Sequence, residues 1–341
     1  MRRMKVISIV NTEYHLLVSL GVFLNYYKES DRIIYVVQPL SGARLTNIDS
    51  DRIDGIEWRW ITYDYSKPTR DIKPDIDQII LEKPDILFFC NENKFWYSYL
   101  FSRLHRCGST IAFLPDGMSA YVEWSVPFRK WLKAFIEHFV DNARVGTYFP
   151  VSIPRRFYAS NRYIDEVWVE YPSSFVNRAK KRIVQFSLPN DNPIFLDQLS
   201  RVFSLSDNSF SIDQNSVFFI DSAFENKAYF EFVVKLLSYL KRKRHYSKVF
   251  IKMHPHSSKV AEQYYSGIED CVIIRSTYPA ELYIANLHNC LIVSVFSTAM
   301  LYYNRECEYV WVYELCKNFL PKQVIHNPTE FIKVVNSVEE I

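Results

Sequence analysis

The sequence predicts a two-domain α/β protein in which each domain is built on a parallel β-sheet. Apolar, β-branched runs of strand length alternate with helix-length segments in both halves of the chain, which is the pattern of a parallel sheet covered on both faces. A chain of 341 residues is also long for a single hydrophobic core. Polar residues directly follow several of the apolar runs, and in such sheets those strand ends are where ligands bind.

The first domain is expected to span residues 1–200. Asn11 or Thr12 is a suitable N-cap for its first helix. Residues 146–200 contain several prolines and are expected to be irregular apart from one short strand. The pattern predicts strands at 5–10, 32–37, 85–90, 109–114 and 166–169, and helices at 16–24, 71–83, 93–104 and 126–145.

The second domain is expected to span residues 201–341, with the boundary in the polar stretch from Ser204 to Asn215 or slightly earlier. A helix is expected from Thr329 onward, and this last helix could pack back on the first domain. The other predicted elements are strands at 216–221, 248–253, 271–274, 291–296 and 309–313, and helices at 226–244, 262–267, 280–287 and 299–303.

Composition excludes several classes of protein. A net charge of +3 is too small to indicate binding to nucleic acid. The seven glycines form neither G-x-G-x-x-G nor G-x-x-x-x-G-K-[ST], so both standard glycine-rich phosphate loops are excluded. The sequence has no H-x-x-x-H and no cysteine pair with ligand spacing, and we expect no metal site.

The cysteine pattern and the short apolar runs indicate a cytoplasmic protein. The six cysteines form no C-x-x-C pair and mostly lie in apolar runs, as is typical of reduced, buried thiols. The first apolar run is too short for a signal sequence, and no apolar stretch reaches the 18 residues of a membrane span. In residues 126–136, basic and aromatic residues alternate at roughly helical spacing. This segment is either a solvated helix face or a contact with an anionic membrane surface.

Two residues at predicted strand ends are candidates for acid–base chemistry. Asp116 precedes Gly117, so it suits a turn, but its carboxylate could also take a proton from an acceptor hydroxyl as a general base. His254 precedes Pro255, which should end the strand. Its imidazole either bonds to the backbone there or donates to a leaving phosphate, as an acid or as a hydrogen-bond donor.

Other polar clusters stand at equivalent positions. Ser297 and Thr298 begin a helix after an apolar strand, where they cap the helix or present hydroxyls and free backbone N–H groups to an anion. Asp221 also follows an apolar strand directly. Because the carboxyl ends of parallel strands meet at one edge of a sheet, these clusters are expected to converge within each domain.

Taken together, these clusters resemble the bacterial sialyltransferases of the two-domain, nucleotide-sugar type, which include lipooligosaccharide and capsule enzymes. The segment 11–17 is similar to the one that follows the first strand in the lipooligosaccharide enzymes. The three matching motifs, in chain order, are Pro115-Asp116-Gly117 for the acidic-Gly motif, His254-Pro255 for the His-Pro motif and Ser297-Thr298 for the serine/threonine pair.

The resemblance implies a GT-B-like fold, with two Rossmann-like parallel-sheet domains that face a central cleft. Domain 1–200 would hold the acceptor and domain 201–341 the nucleotide sugar. The implied reaction is a metal-independent, inverting transfer of sialic acid from CMP-sialic acid to a hydroxyl of a bacterial surface glycan, such as lipooligosaccharide, O-antigen or capsule. No cofactor is implied. The acceptor is expected to be lipid-linked, which would bring the enzyme into peripheral contact with the inner membrane.

The resemblance also assigns roles to residues. Pro115 stands where the family has its first acidic residue, so Asp116 alone would be the base. His254 would assist departure of the phosphate. The other implied site residues are Lys252, Pro255, Asp221, Ser297 and Thr298 for donor binding, and Asn11, Thr12, Tyr14 and Gly117 for acceptor binding.

Two alternatives remain open at the level of sequence. CDP-glycerol glycerophosphotransferases of the teichoic-acid type, and capsule transferases that use CMP-Kdo, also have a His-Pro at a strand end with hydroxyl residues downstream. All of these enzymes use a cytidine nucleotide. The non-enzyme alternative is a glycan-binding scaffold on an inactive transferase fold.

Overall fold

The computed structural model consists of two α/β units. The N-terminal unit comprises Met1–Ser204 with Gln323–Pro328, and the C-terminal unit comprises Leu205–Lys322 with Thr329–Ile341. Residues 204–211, which make up most of the expected boundary, lie outside the residues that the structure describes. The structure describes residues 2–40, 45, 48–50, 53–63, 72–92, 96–124, 127–144, 158–176, 181–189, 192–203, 212–222, 224, 226–255, 257–276, 278–319, 323–325 and 327–341.

The N-terminal unit contains a seven-stranded parallel sheet. Its strands, from one edge to the other, are β3 (Ile56–Tyr63), β2 (Asp31–Pro39), β1 (Lys5–Val10), β4 (Ile86–Phe89), β5 (Thr110–Phe113), β7 (Glu166–Val169) and β8 (Arg182–Gln185). Its helices are α1 (Glu13–Tyr26), α2 (Lys73–Leu81), α3 (Trp96–Arg106), α4 (Phe128–Arg144) and α5 (Pro193–Val202).

The middle of this sheet is covered on both faces. Five consecutive residues of β1, from Val6 to Val10, are buried, although successive side chains of a strand point to opposite faces. Within β1, Ser8 forms a buried hydroxyl pair with Ser19 of α1 at 2.7 Å between the Oγ atoms. This pair satisfies both hydroxyls and connects β1 to the helix that follows it.

A small antiparallel pair completes the N-terminal unit. Strand β6 (Val122–Trp124) pairs with β14 (Gln323–Ile325), so a segment near the end of the chain returns to the first unit. No helix in the described part of the chain has both the length and the apolar character that crossing a membrane requires.

The C-terminal unit repeats the architecture with a six-stranded parallel sheet. Strands β9, β10 and β12 are buried along their whole length. The strands in spatial order are β11 (Cys271–Ile274), β10 (Val249–Lys252), β9 (Val217–Ile220), β12 (Leu291–Ser294), β13 (Glu308–Trp311) and β15 (Ile332–Val334), and the helices are α6 (Lys227–Arg244), α7 (Lys259–Tyr265), α8 (Ala280–Ile284) and α9 (Tyr313–Cys316).

The prediction of a helix from Thr329 onward is wrong. The prediction that this last helix packs on the first domain is therefore wrong as well. The segment forms β15 and a short 3-10 turn at Val338–Glu340, and it belongs to the C-terminal unit. Its β-branched residues suit a strand, and Ile332 lies buried in parallel register with Tyr309 of β13. Pairing with β13 thus determined that this segment forms a strand instead of a helix.

The stretch 146–200 is more regular than expected, because β8 and α5 lie in it besides the expected β7. The start of α5 has a standard signal: Asn192 is the N-cap, its Oδ1 accepts the Ile194 N–H at 3.0 Å, and Pro193 occupies the first turn. Strand β3 was also not expected, although it forms one edge of the N-terminal sheet.

Candidate functional site

Three adjacent strands of the N-terminal sheet end in polar residues. Asn11 follows β1, Asn91 follows the strand end of β4, and Asp116 lies three residues beyond β5. The chain proceeds from β1 to β2 and β3 on one side and then continues at β4 on the other, so the topological switch point lies between β1 and β4. Doubly wound sheets bind their ligands at this position.

Both oxygens of the Asp116 carboxylate accept a hydrogen bond. His15 Nε2 lies 2.8 Å from Oδ1, and Asn91 Nδ2 donates to Oδ2 at 3.0 Å. His15 is buried, whereas the Asp116 side chain keeps 26% of its surface exposed. An ionised carboxylate has about four acceptor sites, so Asp116 can still accept from an external hydroxyl.

The orientation of the His15 ring follows from its other nitrogen. His15 Nδ1 accepts the backbone N–H of Asn11 at 3.4 Å, so the ring proton lies on Nε2 and is donated to Asp116. The helix start holds the ring in place, because Thr12 is the N-cap of α1 and its Oγ1 accepts the His15 backbone N–H at 3.2 Å. The first turn of α1 therefore orients a donor toward the candidate base.

The local backbone supports a functional role for Asp116 over a simple turn or cap. Asp116 occupies the N-cap position of the 3-10 turn Gly117–Tyr121, but its side chain makes no capping hydrogen bond there. Gly117 has φ of +61°, a left-handed conformation that a side chain would strain. The turn thus frees the carboxylate to point toward His15 and Asn91.

The predicted acceptor-binding residues are distributed around this cluster. Asn11 Nδ2 donates to the Val37 carbonyl at 2.5 Å, which connects the end of β1 to β2. Thr12 caps α1, and Tyr14 is half-buried on the same helix. Acceptor binding by Asn11, Thr12, Tyr14 and Gly117 stays a prediction.

In the C-terminal unit, Asp221 is the centre of a buried hydrogen-bond network. It follows β9 directly and is 2% exposed. Its Oδ2 accepts the Ser257 hydroxyl at 2.5 Å, and its Oδ1 accepts the Tyr265 hydroxyl at 2.8 Å. The carboxylate also accepts the backbone N–H groups of Ser222 and His254. All four partners are groups of the protein itself. Their hydrogen bonds to Asp221 hold the loop that follows β10 against the end of β9.

The His-Pro segment lies on that loop. His254 is half-buried beyond the end of β10, Pro255 is exposed, and the His254 carbonyl accepts the Ser257 N–H at 2.9 Å. His256 lies outside the described residues. Lys252 is buried, and its ammonium donates to the Ser276 carbonyl at 2.9 Å, which is a structural contact between β10 and the end of β11. Donor binding by Lys252 and Pro255 stays a prediction.

The serine/threonine pair follows β12, which lies beside β9 at the switch point of this sheet. Ser297 is the N-cap of the short 3-10 turn Thr298–Leu301, and its Oγ accepts the Ala299 N–H at 3.3 Å. Thr298 is half-buried in that turn. Capping of the turn is thus what the structure shows for Ser297, and donor binding by the pair stays a prediction.

Asp221 should make the stability of the protein depend on pH. Burial raises its pKa above the ordinary value of 3.8. Between the ordinary and the raised pKa the folded state binds more protons than the unfolded state, so the free energy of unfolding should fall as pH rises through this window. Asp221→Asn removes the titrating group. The difference in urea midpoint, wild type minus variant, should therefore decrease from about pH 4 toward about pH 7.

Asp165→Asn is the matched control for this experiment, since the Asp165 side chain is half-exposed, accepts the Ile111 backbone N–H at 2.9 Å and lies 3.9 Å from His105 Nδ1. Its urea midpoints should follow those of the wild type across the same pH range. Parallel curves for the wild type and Asp221→Asn would contradict the effect assigned to Asp221.

Three partners of the candidate residues were not assigned from the sequence: His15, Asn91 and Tyr265. Asn91 could have been found, because it stands at a strand end like the residues that were chosen. His15 belongs to the segment that was singled out, but nothing in its spacing showed that it faces Asp116. Among the described residues, no group of three or more His, Cys, Asp and Glu side chains could hold a metal ion.

Comparison with known families decides what kind of protein carries this site. The family model for alpha-2,8-polysialyltransferase matches residues 17–306, which is most of the chain. The chain belongs to this family. It is therefore a glycosyltransferase of the sialyltransferase type, and it uses a nucleotide-sugar donor and a glycan acceptor. No curated protein sequence matches the chain.

Solved structures show the fold of this polysialyltransferase-family chain. The UDP-GlcNAc 2-epimerase from Methanocaldococcus jannaschii superposes with a TM-score of 0.55 and 10% identity, covering 100% of this chain and 90% of the epimerase. The UDP-GlcNAc 2-epimerase from Neisseria meningitidis, bound to UDP-GlcNAc, gives 0.50 and 11%, covering 87% and 79%. At these identities the likeness concerns the fold alone. With the two parallel sheets, it establishes the GT-B-like class that the sequence predicted.

Proposed function

We propose that this family member transfers sialic acid from CMP-sialic acid to a hydroxyl of a bacterial surface glycan, without a metal ion and with inversion at the anomeric carbon. The family description supports a growing α-2,8-linked polysialic acid as the acceptor. The glycan would be lipooligosaccharide, O-antigen or capsule, and its lipid anchor would bring the cytoplasmic enzyme to the inner membrane. The observation that carries the proposal is the Asp116 carboxylate, oriented by two donors at the switch point of the sheet.

In this proposal, Asp116 is the base that acts on the acceptor. The acceptor oxygen forms a bond to the anomeric carbon, and its proton passes to the carboxylate. The hydrogen bonds from His15 and Asn91 fix both carboxylate oxygens, while the exposed part of the side chain leaves room for the hydroxyl. His15 and Asn91 are therefore positioning residues.

His254 acts on the donor in the same proposal. The bond between the anomeric carbon and the CMP phosphate breaks, and the carbon acquires oxocarbenium character, as in other glycosyl transfers. The His254 imidazole donates a hydrogen bond or a proton to the departing phosphate oxygen, and Ser297 with Thr298 binds the remaining oxygens. Asp221 contributes by holding the His254 backbone and is buried away from solvent, so we assign it to positioning.

The alternatives differ in the group transferred. CDP-glycerol and CMP-Kdo enzymes share the His-Pro arrangement, and an inactive scaffold would bind glycan without turnover. The family match favours sialic acid over both other groups. The oriented Asp116 also favours an active enzyme, because a scaffold has no need for a base with two fixed donors.

Release of CMP from three donors tests the proposal. The purified full chain is incubated separately with CMP-Neu5Ac, CMP-Kdo and CDP-glycerol, each with and without an α-2,8-linked oligosialic acid acceptor. We expect acceptor-dependent release from CMP-Neu5Ac alone, unchanged by EDTA, with a product one or more sialic acids longer. Turnover only with CDP-glycerol or CMP-Kdo would overturn the choice of donor. Binding of oligosialic acid without turnover of any donor would support the scaffold.

A further inference from the structure

Helix α4 carries an apolar face that is exposed in the part of the chain that the structure describes. The helix has 17 residues and is about 25 Å long. None of its described side chains is buried, and Phe128 and Ile136 keep 71% and 53% of their surface exposed. The large apolar side chains that recur along one side of the helix are Phe128, Leu132, Ile136, Phe139 and Val140.

Aromatic rings extend this apolar face along the first two turns. Phe128 stacks on Trp131 with ring centroids 5.9 Å apart, and Trp131 stacks on Phe135 at 5.5 Å. Both contacts are nearly parallel, at 19° and 22° between the ring planes. Trp and Phe are the side chains that amphipathic helices insert at the boundary between headgroups and acyl chains.

Basic residues accompany the apolar face. Arg129, Lys130 and Lys133 lie in the first two turns, and Lys133 makes an exposed ion pair of 3.7 Å with Glu137. The whole helix carries four basic residues against two acidic ones. An excess of positive charge beside exposed aromatics is complementary to an anionic lipid surface.

We infer that α4 is a membrane-binding helix that lies in the headgroup region of an anionic bilayer. The net positive charge of α4 favours this surface over a second copy that pairs through α4, because two identical helices carry the same net charge. Insertion on the surface suits the length and polarity of α4, whose exposed polar side remains in water. The inference depends on α4 alone and is independent of the donor and acceptor proposed above.

Vesicle co-sedimentation with the full chain tests this surface. We expect binding to vesicles of phosphatidylglycerol and phosphatidylcholine, and at least about tenfold weaker binding to phosphatidylcholine alone. The double variant Leu132→Ser with Ile136→Ser should bind the anionic vesicles about tenfold more weakly or worse, since two apolar side chains no longer leave water. Lys130→Gln with Lys133→Gln should weaken binding by a similar factor and reduce its dependence on salt.

The matched control is Ile194→Ser with Val260→Ser, which removes two apolar side chains of comparable exposure, 67% and 50%, from α5 and α7. This control should bind like the wild type. Equal binding of the α4 variant and the control would overturn the inference. So would a lipid-free dimer, measured by light scattering, that dissociates on Leu132→Ser with Ile136→Ser, because α4 would then be covered by a second copy. Circular dichroism verifies that each variant is folded.

Discussion

Asp116→Asn should reduce kcat for sialic acid transfer by about 100- to 10,000-fold while CMP-sialic acid still binds. The amide keeps the shape of the side chain and can still accept from one donor, but it does not take up the proton of the acceptor hydroxyl. The loss should therefore appear in kcat, measured as acceptor-dependent release of CMP, and much less in the KM for the donor.

Two further variants separate the base from the residues that position it. His15→Leu removes the donor at 2.8 Å, whereas His15→Gln retains an N–H group on a side chain of similar reach. We expect His15→Leu to lower kcat about tenfold or more and His15→Gln to recover part of the loss. A purely structural role for the buried His15 would lower the urea midpoint of both variants without this difference in kcat.

Asp165→Asn is the control for the loss of a carboxylate from the same sheet, at the amino end of β7 instead of the carboxyl end of β5. It should retain activity near that of the wild type. If Asp116→Asn also retained more than about a tenth of the wild-type kcat, Asp116 would not be the base, and the donor assay would still report separately on the transferase function.

His254→Ala should reduce kcat by about 100- to 1,000-fold, because the negative charge on the departing phosphate would lose a hydrogen bond that strengthens in the transition state. His254→Gln tests the kind of assistance. It keeps a hydrogen-bond donor but cannot transfer a proton at neutral pH, so partial recovery indicates hydrogen bonding and no recovery indicates acid catalysis. Initial rates of CMP release at saturating donor measure both variants.

The matched control is His288→Ala in the same unit. His288 is exposed, and its Nδ1 lies 2.6 Å from Glu306 on the surface. We expect His288→Ala to leave kcat unchanged. A wild-type rate for His254→Ala would remove His254 from the mechanism, whereas equal losses for both histidine variants would indicate a general defect in folding.

The two units could be predicted from the sequence because parallel sheets buried on both faces leave a simple pattern. In the interior strands β1 and β9, nearly every residue is buried, so the runs are almost continuously apolar. The two edge strands of the N-terminal sheet lack this signal. Strand β8 is mostly exposed and follows a basic run, and β3 has only two buried residues, Ile56 and Ile61, five positions apart, so neither was expected. The last segment formed β15 because β13 offered it a partner, which no local preference indicates.

The sequence by itself determined that Asp116 and His254 stand just beyond the carboxyl ends of parallel strands. This follows from local order alone, since an apolar run that stops at polar residues marks a strand end. Only the tertiary structure decided what these residues contact. His15 lies 101 positions from Asp116, and Tyr265 lies 44 positions from Asp221. Such contacts depend on which strands become neighbours in a sheet, and that order is a property of the packed fold and not of any local segment.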